Sequence, residues 1–454
     1  MSGVPRHLRG LATALATVAL LLAPMAGVAR AAGPSFGTPS ATISYDQSIV
    51  FTVPFSPAGA VSRVELRMRF ADNPGLYIVD VPAGTGANQT LRYTRDLTGD
   101  GHLVPNVPIE VTWAAVMADG SVVTSQTTTV RYTDTTHAWQ TLRGSLVTVH
   151  WYDGPQSFAE RALQIGEKAI RDTSALLGVT ETQNVDFFIY SDDQSFRDAL
   201  GPGTRENVGG EAHADIRTLF ALITPDAIND PWVGVVIPHE LVHLVFDTAV
   251  RNPYRFPPRW FNEGLAVYLS EGNTPGDQAL VQAAIRAKTL IPLDALGGQF
   301  PTDPQKTSLA YAESVSAIDF LVRKDGREAL LSLVRAYKDG VTDDEAFSRA
   351  LGADFEAFQA AWLTDLGASP PVRYGPQPAP AGPLPSGWSG PQTTPAPGVV
   401  SPPPGPGFTP VPGGSDAGPT GADQVRSQAV LAVVVVVTLV AAGLLVADRR
   451  RRAS

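Results

Sequence analysis

Two histidines and two glutamates are the residues of this chain best suited to carry chemistry. His239 and His243 stand four positions apart, and Glu240 follows the first histidine. Residues four apart on a helix project from the same face, so two imidazole nitrogens can hold one zinc ion with Glu240 beside it. Glu263 is the obvious third ligand. Two histidines and one glutamate leave the fourth tetrahedral position open for water, which is typical of a hydrolytic zinc site and not of a structural one.

The residues around the histidines predict a buried helix. Its other side chains are apolar almost all round: Val235, Val236, Ile237, Leu241, Val242, Leu244, Val245 and Phe246. Two histidines and a glutamate are costly to bury without partners, and a metal ion satisfies all three. The alternative is a core or surface helix that carries two histidines by chance. Asp230 and Pro231 predict the N-cap and first position of the helix. Pro238 predicts a kink or a restart just before His239.

Two motifs of the chain resemble those of the gluzincin metallopeptidases. They are HELVH, which holds the histidines, and WFNEG, which holds Glu263, with residues 244–262 between His243 and Glu263. More narrowly, PHELVHLVFD and PPRWFNEGLAVYLSEG are similar to the bacterial peptidase MA-like group. The resemblance extends over roughly residues 140–368.

The resemblance implies a zinc-dependent peptidase with a zincin-like fold and one bound zinc ion. It implies that His239, His243 and Glu263 are the zinc ligands and that Glu240 is the general base. Gluzincins commonly place a tyrosine or histidine from the downstream half of the domain against the oxyanion of the reaction. Tyr311 is the candidate for that role, and the alternative is a core tyrosine whose hydroxyl is satisfied by the protein.

The chain departs from the family pattern at two points. It lacks the G-x-M-E-N signature with which gluzincin aminopeptidases hold the free N-terminus of a substrate. Val267 stands where thermolysin-like enzymes keep an aspartate that orients a zinc-bound histidine. The sequence therefore leaves endopeptidase and exopeptidase action open, and it names no partner that orients His239.

Both ends of the chain predict export and membrane attachment. Residues 1–31 have the basic start, the apolar run and the Ala29-Arg30-Ala31 cleavage pattern of a signal peptide. Residues 429–447 are long and apolar enough to cross a bilayer as a helix. The basic tail at 448–454 then stays in the cytoplasm, which leaves the preceding residues outside the cell.

The composition narrows the class of protein. The 454 residues include no cysteine, so disulfides, cysteine zinc ligands and thiol nucleophiles are excluded. The net charge of −10 is spread along the chain, which disfavours nucleic-acid binding. Residues 369–426 are rich in proline and glycine and predict a disordered stalk.

Residues 36–135 alternate short apolar strands with turn-rich stretches. The predicted strands are Ile49–Val53, Val64–Phe70, Leu76–Val81, Leu91–Tyr93, Ile109–Trp113 and Val130–Tyr132. About seven short strands in a hundred residues predict a small all-β, immunoglobulin-like sandwich. It holds no catalytic constellation, so we expect it to space, cap or dock the domain that follows.

The pattern over residues 138–368 predicts an α+β catalytic domain with a helical C-terminal subdomain. The predicted elements before the metal helix are a strand at Leu146–Trp151, a helix from a Ser157–Glu160 capping box to Gly178, a strand at Val185–Tyr190 and a short helix through Phe196 and Leu200. Residues 201–216 predict a polar loop in which Gly209-Gly210 forms either a mobile lip or a plain turn, and His213 is predicted to be exposed and not a fourth ligand.

Thr218–Thr224 is predicted as an edge strand, and the resemblance implies that it lines the cleft and pairs with an extended peptide. After Glu271, helical spacing predicts helices at 276–289, 308–323, 326–338, 342–350 and 353–366.

The function predicted is a membrane-anchored extracellular zinc metallopeptidase that acts on peptides or proteins. Two alternatives stay open from the sequence. One is a zinc-bearing but non-catalytic binding module at the cell surface, which has no need of Glu240. The other is a gluzincin-like hydrolase of cell-wall peptides or of other non-protein amide bonds. The sequence says nothing of the oligomeric state.

Overall fold

A computed structural model describes residues 33–371, except 72, 85, 99–100 and 202–208. The predicted signal peptide (1–31), membrane helix (429–447) and basic tail (448–454) lie outside the described residues. Nearly all of the predicted stalk (369–426) lies outside them as well. The chain is a mixed α+β protein with β-sheets in its N-terminal part and a helical C-terminal part.

The N-terminal part consists of antiparallel strands that alternate buried and exposed side chains. Those of its described residues are β1 (Ser35–Phe36), β2 (Ser40–Ser44), β3 (Ser48–Ser56), β4 (Val61–Phe70), β5 (Asn73–Val81), β6 (Gln89–Asp96), β7 (Pro108–Met117), β8 (Val122–Thr124) and β9 (Thr128–Arg131). All six strands predicted here overlap one of these. Strands β1, β2 and β8 were not predicted, because they are short or carry few apolar residues.

Two sheets enclose the core of this N-terminal part. In the first, β3 pairs with β6 on one side and with β1 and β2 on the other. In the second, β4 pairs with β5 and β7, and β7 pairs further with β8 and β9. Alternate residues of β3 and β4, such as Phe51 and Leu66, are fully buried in a shared core with Trp113 of β7. Side chains that alternate between faces thus give each strand one core-facing side.

The second part of the chain is built on a five-stranded mixed sheet. Its strands are β10 (Gln140–Arg143), β11 (Val147–Trp151), β12 (Val185–Tyr190), β13 (Gly210–His213) and β14 (Thr218–Leu222). Their order is β10-β11-β12-β14-β13, with β11, β12 and β14 parallel and an antiparallel strand at either edge. Val185–Tyr190 falls where the sequence predicts it.

Three predictions for residues 201–224 are wrong. Residues 218–224 do not form the edge strand, because β14 hydrogen-bonds to β12 on one side and to β13 on the other and is almost wholly buried. Residues 210–213, predicted as loop, are the edge strand β13. His213, predicted to be exposed, has a side chain only 10% exposed.

Nine α-helices lie in the described part of the chain. They are α1 (Gln156–Leu177), α2 (Asp193–Leu200), α3 (Val233–Val250), α4 (Arg259–Ser270), α5 (Pro275–Ala287), α6 (Pro304–Asp325), α7 (Arg327–Lys338), α8 (Asp343–Leu351) and α9 (Phe355–Asp365). The five helices predicted after Glu271 correspond to α5–α9. Because α5–α9 follow the sheet, the C-terminal part is helical as predicted.

The starts of α1 and α3 differ from their predictions. Ser157 and Glu160 form no capping box, because the N-cap of α1 is Pro155 and no side chain caps it. The N-cap of α3 is Trp232, two residues later than the predicted Asp230. Helix α3 contains Pro238 within a single assigned helix, so the predicted restart is absent there.

Helix α3 is the central helix of the second part of the chain. It packs against α1, α4 and the edge strand β13. Among the described residues it alone is apolar and long enough to cross a membrane, but 72% of that window is buried inside the protein. Its apolar character is therefore explained by its place in the core.

The N-terminal part of the chain, which holds β1–β9, is called the β-domain. It covers the face of the mixed sheet that α1 and α3 leave free. Phe220 of β14 and Tyr190 of β12 belong to the same buried cluster as the β-domain core. Asn106 of the β-domain donates hydrogen bonds to Asp186 Oδ2 at 2.9 Å and to Thr218 Oγ1 at 2.8 Å. The β-domain and this face of the mixed sheet thus share one hydrophobic cluster, and α1 and α3 pack in a second cluster on the opposite face.

Candidate metal centre

Helix α3 presents His239 and His243 from one face, as their spacing predicts. The Nε2 atoms of the two rings lie 3.2 Å apart. Glu240 lies between them in sequence, and its side chain is completely buried. The helix is held between the sheet and α4 by apolar side chains, so its polar residues have little freedom to turn towards solvent.

Helix α4 brings Glu263 to the two histidines. Its Oε2 lies 3.7 Å from His239 Nε2 and 3.5 Å from His243 Nε2. The side chain is completely buried. Next in sequence, Gly264 lets α4 approach α6 closely, since a Cβ atom at Gly264 would stand 2.5 Å from the backbone oxygen of Ser314. The close packing of α4 against α6 thus determines how deeply Glu263 is buried.

The three donor atoms have the spacing of a tetrahedral metal site. One ligand atom from each of His239, His243 and Glu263 lies within 4.8 Å of the others. A tetrahedral zinc ion with bonds of about 2.0–2.1 Å separates its ligand atoms by about 3.3–3.4 Å. The donor separations of 3.2, 3.5 and 3.7 Å are close to that value.

The buried carboxylates of the site support the same interpretation. Neither oxygen of Glu240 or of Glu263 has a hydrogen-bond partner of good geometry among the described residues. A buried polar atom without a partner costs about 1–3 kcal/mol, and more when it is charged. A metal ion and its water would satisfy the oxygens of Glu240 and Oε2 of Glu263, so the residues present fit a bound cation.

Asn262 orients His243. Its Oδ1 lies 2.9 Å from His243 Nδ1, and we assign the proton of the ring to Nδ1, which then donates to the amide oxygen. That tautomer leaves the Nε2 lone pair directed at the donor cluster. Asn262 was not predicted from the sequence, although its place directly before Glu263 in the NEG motif is a signal for it.

Burial and charge separate the two glutamates. Burial raises the pKa of Glu240 to about 8, and the negative charges of Glu263 and Glu211 act in the same direction. Burial also acts to raise the pKa of Glu263, but contacts with His239 and His243 outweigh it and hold that pKa well below its ordinary range. Glu263 is therefore the permanent anion of the pair, and Glu240 is the carboxyl that can hold a proton near neutral pH.

Burial and charge also shift the pKa values of the two histidines in opposite directions. Burial lowers the pKa of His239, which favours the neutral form that a metal requires. Burial has the same effect on His243, but contacts with Glu263 outweigh it and raise that pKa.

The edge strand β13 lies directly against Glu240. A Cβ atom at Gly210 would stand 3.1 Å from Glu240 Cγ and 3.3 Å from Val236 Cγ1. Gly210 therefore allows the strand to approach the helix. On the other face of β13, His213 Nε2 lies 3.0 Å from Glu211 Oε1. His213 is not part of the donor cluster.

Tyr311, the predicted oxyanion donor, is buried on α6. Its ring meets the ring of Phe300 edge-on, with centroids 5.1 Å apart. Phe300 in turn lies under the guanidinium of Arg259, which is paired with Glu263. Tyr311 thus contacts Phe300, which in turn contacts the arginine paired with the third ligand, and the role of Tyr311 in the reaction stays a prediction.

A comparison with known protein families agrees with the HELVH and WFNEG motifs. Residues 166–368 match the model of the Peptidase MA superfamily. These residues contain α3, α4 and all four site residues predicted for metal binding and base catalysis. This region is therefore gluzincin-like and peptidase MA-like, which confirms the predicted resemblance. No curated protein matches the chain in sequence.

Solved structures of zinc peptidases overlap with the chain at low identity. An aminopeptidase N family protein from Idiomarina loihiensis is 11% identical, with a TM-score of 0.36, over 70% of this chain and 74% of that one. The M1 zinc metallopeptidase from Deinococcus radiodurans is 15% identical, with a TM-score of 0.33, over 75% of this chain and 97% of that one. These values are too low to assign an activity.

Proposed function

We propose that the chain is a membrane-anchored, extracellular zinc metallopeptidase. The observation that carries the proposal is the convergence of His239, His243 and Glu263 beside a buried Glu240. Neutral imidazole and carboxylate donors in this number suit zinc and leave one position open. The match of residues 166–368 to the Peptidase MA superfamily supports a peptide as the substrate.

In this proposal His239, His243 and Glu263 would hold a zinc ion, which would supply Lewis-acid chemistry to a water molecule and to the substrate carbonyl. Glu240 would accept a proton from the water that attacks the carbonyl carbon. The protonated carboxyl then delivers the proton to the departing amine, so that one residue serves as base and acid in turn. The raised pKa of Glu240 suits the second step, in which the carboxyl holds a proton and then releases it.

Replacing Glu240 tests this assignment. Glu240→Gln removes the base but keeps the size of the side chain, so we expect one zinc ion to stay bound while hydrolysis falls by at least about 100-fold. Zinc content by mass spectrometry and cleavage of a peptide library measure the two effects. Glu328→Gln, exposed on α7, is the matched control. Hydrolysis at the wild-type rate in Glu240→Gln would rule out this mechanism.

The edge strand supports a mode of substrate binding. The outer side of β13 has no strand partner among the described residues, and β13 lies against Glu240. An extended peptide that pairs with β13 by strand addition would lie along the site. The segment proposed to pair with the peptide is therefore residues 210–213 and not residues 218–224, which the sequence predicted.

A peptide library separates the kinds of activity. We expect internal cuts that a chelator abolishes, because the chain lacks the N-terminus-binding signature of aminopeptidases. Trimming from peptide ends alone would indicate an exopeptidase. If zinc binds but no peptide is cut, the choice lies between a silent binding module and a hydrolase of cell-wall or other non-protein amide bonds. Cell-wall fragments added to the same assay distinguish these two.

The N-terminal strands support an immunoglobulin-like sandwich as the fold of the β-domain. The chain places β1–β3 in one sheet, β4 and β5 in the other, β6 in the first and β7–β9 in the second. This alternation between two antiparallel sheets is the kind of Greek-key connection found in immunoglobulin-like domains.

The surface location rests on the sequence at both ends. A cleaved signal peptide, a stalk over 369–426 and a membrane helix at 429–447 would hold the peptidase outside the cell. Protease treatment of intact cells tests this arrangement. We expect the catalytic domain to be shed and a C-terminal tag to be protected. Protection of both would place the domain inside.

A further inference from the structure

The two carboxylate oxygens of Glu263 have different neighbours. Oε2 faces the two histidines, at 3.5 and 3.7 Å from their Nε2 atoms. Oε1 lies 3.2 Å from Nε of Arg259, one helical turn earlier on α4. The carboxylate is therefore oriented between a cation on one side and the metal-binding nitrogens on the other.

Arg259 is itself held in place by two further contacts and by burial. Its backbone N–H donates to the carbonyl oxygen of Gly297 at 2.9 Å, which joins the start of α4 to the loop before α6. Its guanidinium lies over the ring of Phe300, 5.0 Å from the centroid. Only 13% of the side chain is exposed. A guanidinium that is stacked and ion-paired in this way has little freedom to leave the carboxylate.

We propose that Arg259 is a positioning residue that engages Oε1 of Glu263, so that the glutamate binds the metal through Oε2 alone. This inference rests on the proposed function. Carboxylates bind metal ions through one oxygen or through both. Binding through both oxygens fills a further coordination position next to the one that water and substrate need. The electrostatic attraction of Oε1 to the guanidinium opposes that rotation of the carboxylate.

Cobalt replaces zinc as a spectroscopic probe of the coordination number. Four-coordinate Co²⁺ absorbs more strongly in the visible range than five-coordinate Co²⁺, because tetrahedral coordination mixes more p character into the d orbitals. The full chain would be loaded with one equivalent of Co²⁺ and titrated by absorption. The variants are Arg259→Met, which removes the cation at similar size, and Arg259→Lys, which keeps it. Arg323→Met removes another arginine that pairs with an acid four residues away, Asp319, and is the matched control.

We expect the wild type and Arg323→Met to show the strong visible band. Arg259→Lys should retain most of the absorbance of that band. Arg259→Met should bind one Co²⁺ with a clear loss of absorbance per bound ion. A spectrum of metal-loaded Arg259→Met that equals the wild type overturns the inference and leaves the proposed function intact. A wild type that binds no Co²⁺ or Zn²⁺ overturns both.

A second variant serves if Arg259→Met does not fold. Phe300→Leu keeps the cation and removes the ring beneath it. We expect a smaller loss of absorbance in the same direction. An unchanged band in folded, metal-loaded Phe300→Leu would then contradict the inference.

Discussion

At the scale of single residues, the site depends on which atom of each side chain is left free. Asn262 occupies Nδ1 of His243, and Arg259 faces Oε1 of Glu263. Each contact leaves the other atom, Nε2 or Oε2, directed at the donor cluster. The geometry of the site is therefore set as much by these two neighbours as by the ligands.

Removing the amide of Asn262 should weaken metal binding. Asn262→Ala leaves His243 free to rotate and to change tautomer, so we expect zinc affinity to fall by about 10–100-fold. Asn262→Asp, which keeps an acceptor at the same place, should retain most of the affinity. Competition with a chromophoric chelator measures both. Equal affinities for wild type and Asn262→Ala would show that the hydrogen bond is incidental.

At the scale of secondary-structure elements, the third ligand depends on how closely α4 and α6 pack. Glu263 is followed by Gly264, whose Cα faces the backbone of Ser314. The obstacle to a side chain there is main chain, which cannot rotate away. The same reasoning applies to Gly210, where β13 meets Glu240, but the neighbour there is a side chain that can shift.

An alanine at Gly264 should therefore be strongly destabilising. Its Cβ would stand 2.5 Å from the oxygen of Ser314, so α4 and α6 must separate. We expect a loss of about 1–3 kcal/mol or more, typical of overpacking, together with lower zinc affinity. Thermal unfolding and chelator competition measure these effects.

Gly234 provides the matched control for that substitution. It lies in the first turn of α3, and no atom stands within 4 Å of an added Cβ. Gly234→Ala should stabilise the protein by up to about 1 kcal/mol, because alanine favours helix more than glycine does. If Gly264→Ala is equally well tolerated, the close approach of α4 to α6 does not limit the site.

At the scale of the whole molecule, the β-domain supports the mixed sheet next to the candidate site. The sheet buries one face under α1 and α3 and the other under the β-domain, with Tyr190 and Phe220 in the shared core. Asp186 connects the two parts, since it accepts from Asn106 and lies 3.0 Å from His150 Nε2. The β-domain thus docks, which was one of the roles expected of it.

This contact predicts a dependence of stability on pH. Burial acts to raise the pKa of Asp186, but hydrogen bonds with His150 and Asn106 outweigh it and hold that pKa below its ordinary value. The group is more acidic in the folded protein than in the unfolded chain. Its contribution to stability is therefore present above the unfolded value of about 3.9 and is lost as the pH falls further.

Thermal unfolding of Asp186→Asn measures this contribution. We expect the variant to have a lower melting temperature than the wild type at pH 6, and we expect the difference to shrink towards pH 3. Asp172→Asn, on the exposed face of α1, is the control and should show little difference at either pH. A constant difference between Asp186→Asn and the wild type from pH 6 to pH 3 would exclude the linkage.

Much of the fold follows from the sequence because local patterns were strong. Strand β12 is a continuous apolar run, and helices α5–α9 carry apolar residues at helical spacing, so neither needed distant contacts to be recognised. Strand β13 was missed because its four residues, Gly210–His213, are short, partly polar and begin with glycine. This segment is a strand only because it pairs with β14.

The residue types and spacing of His239, Glu240 and His243, with the family resemblance that adds Glu263, predicted without any structure which residues meet and which chemistry they suit. For the two histidines that was possible because a helix repeats every 3.6 residues, so that a four-residue interval places both on one face. Only the tertiary structure decided which strand borders the site, what orients Glu263 and His243, and that the β-domain shares the core. These features depend on residues distant in sequence, whose contacts are set by packing and not by any local pattern.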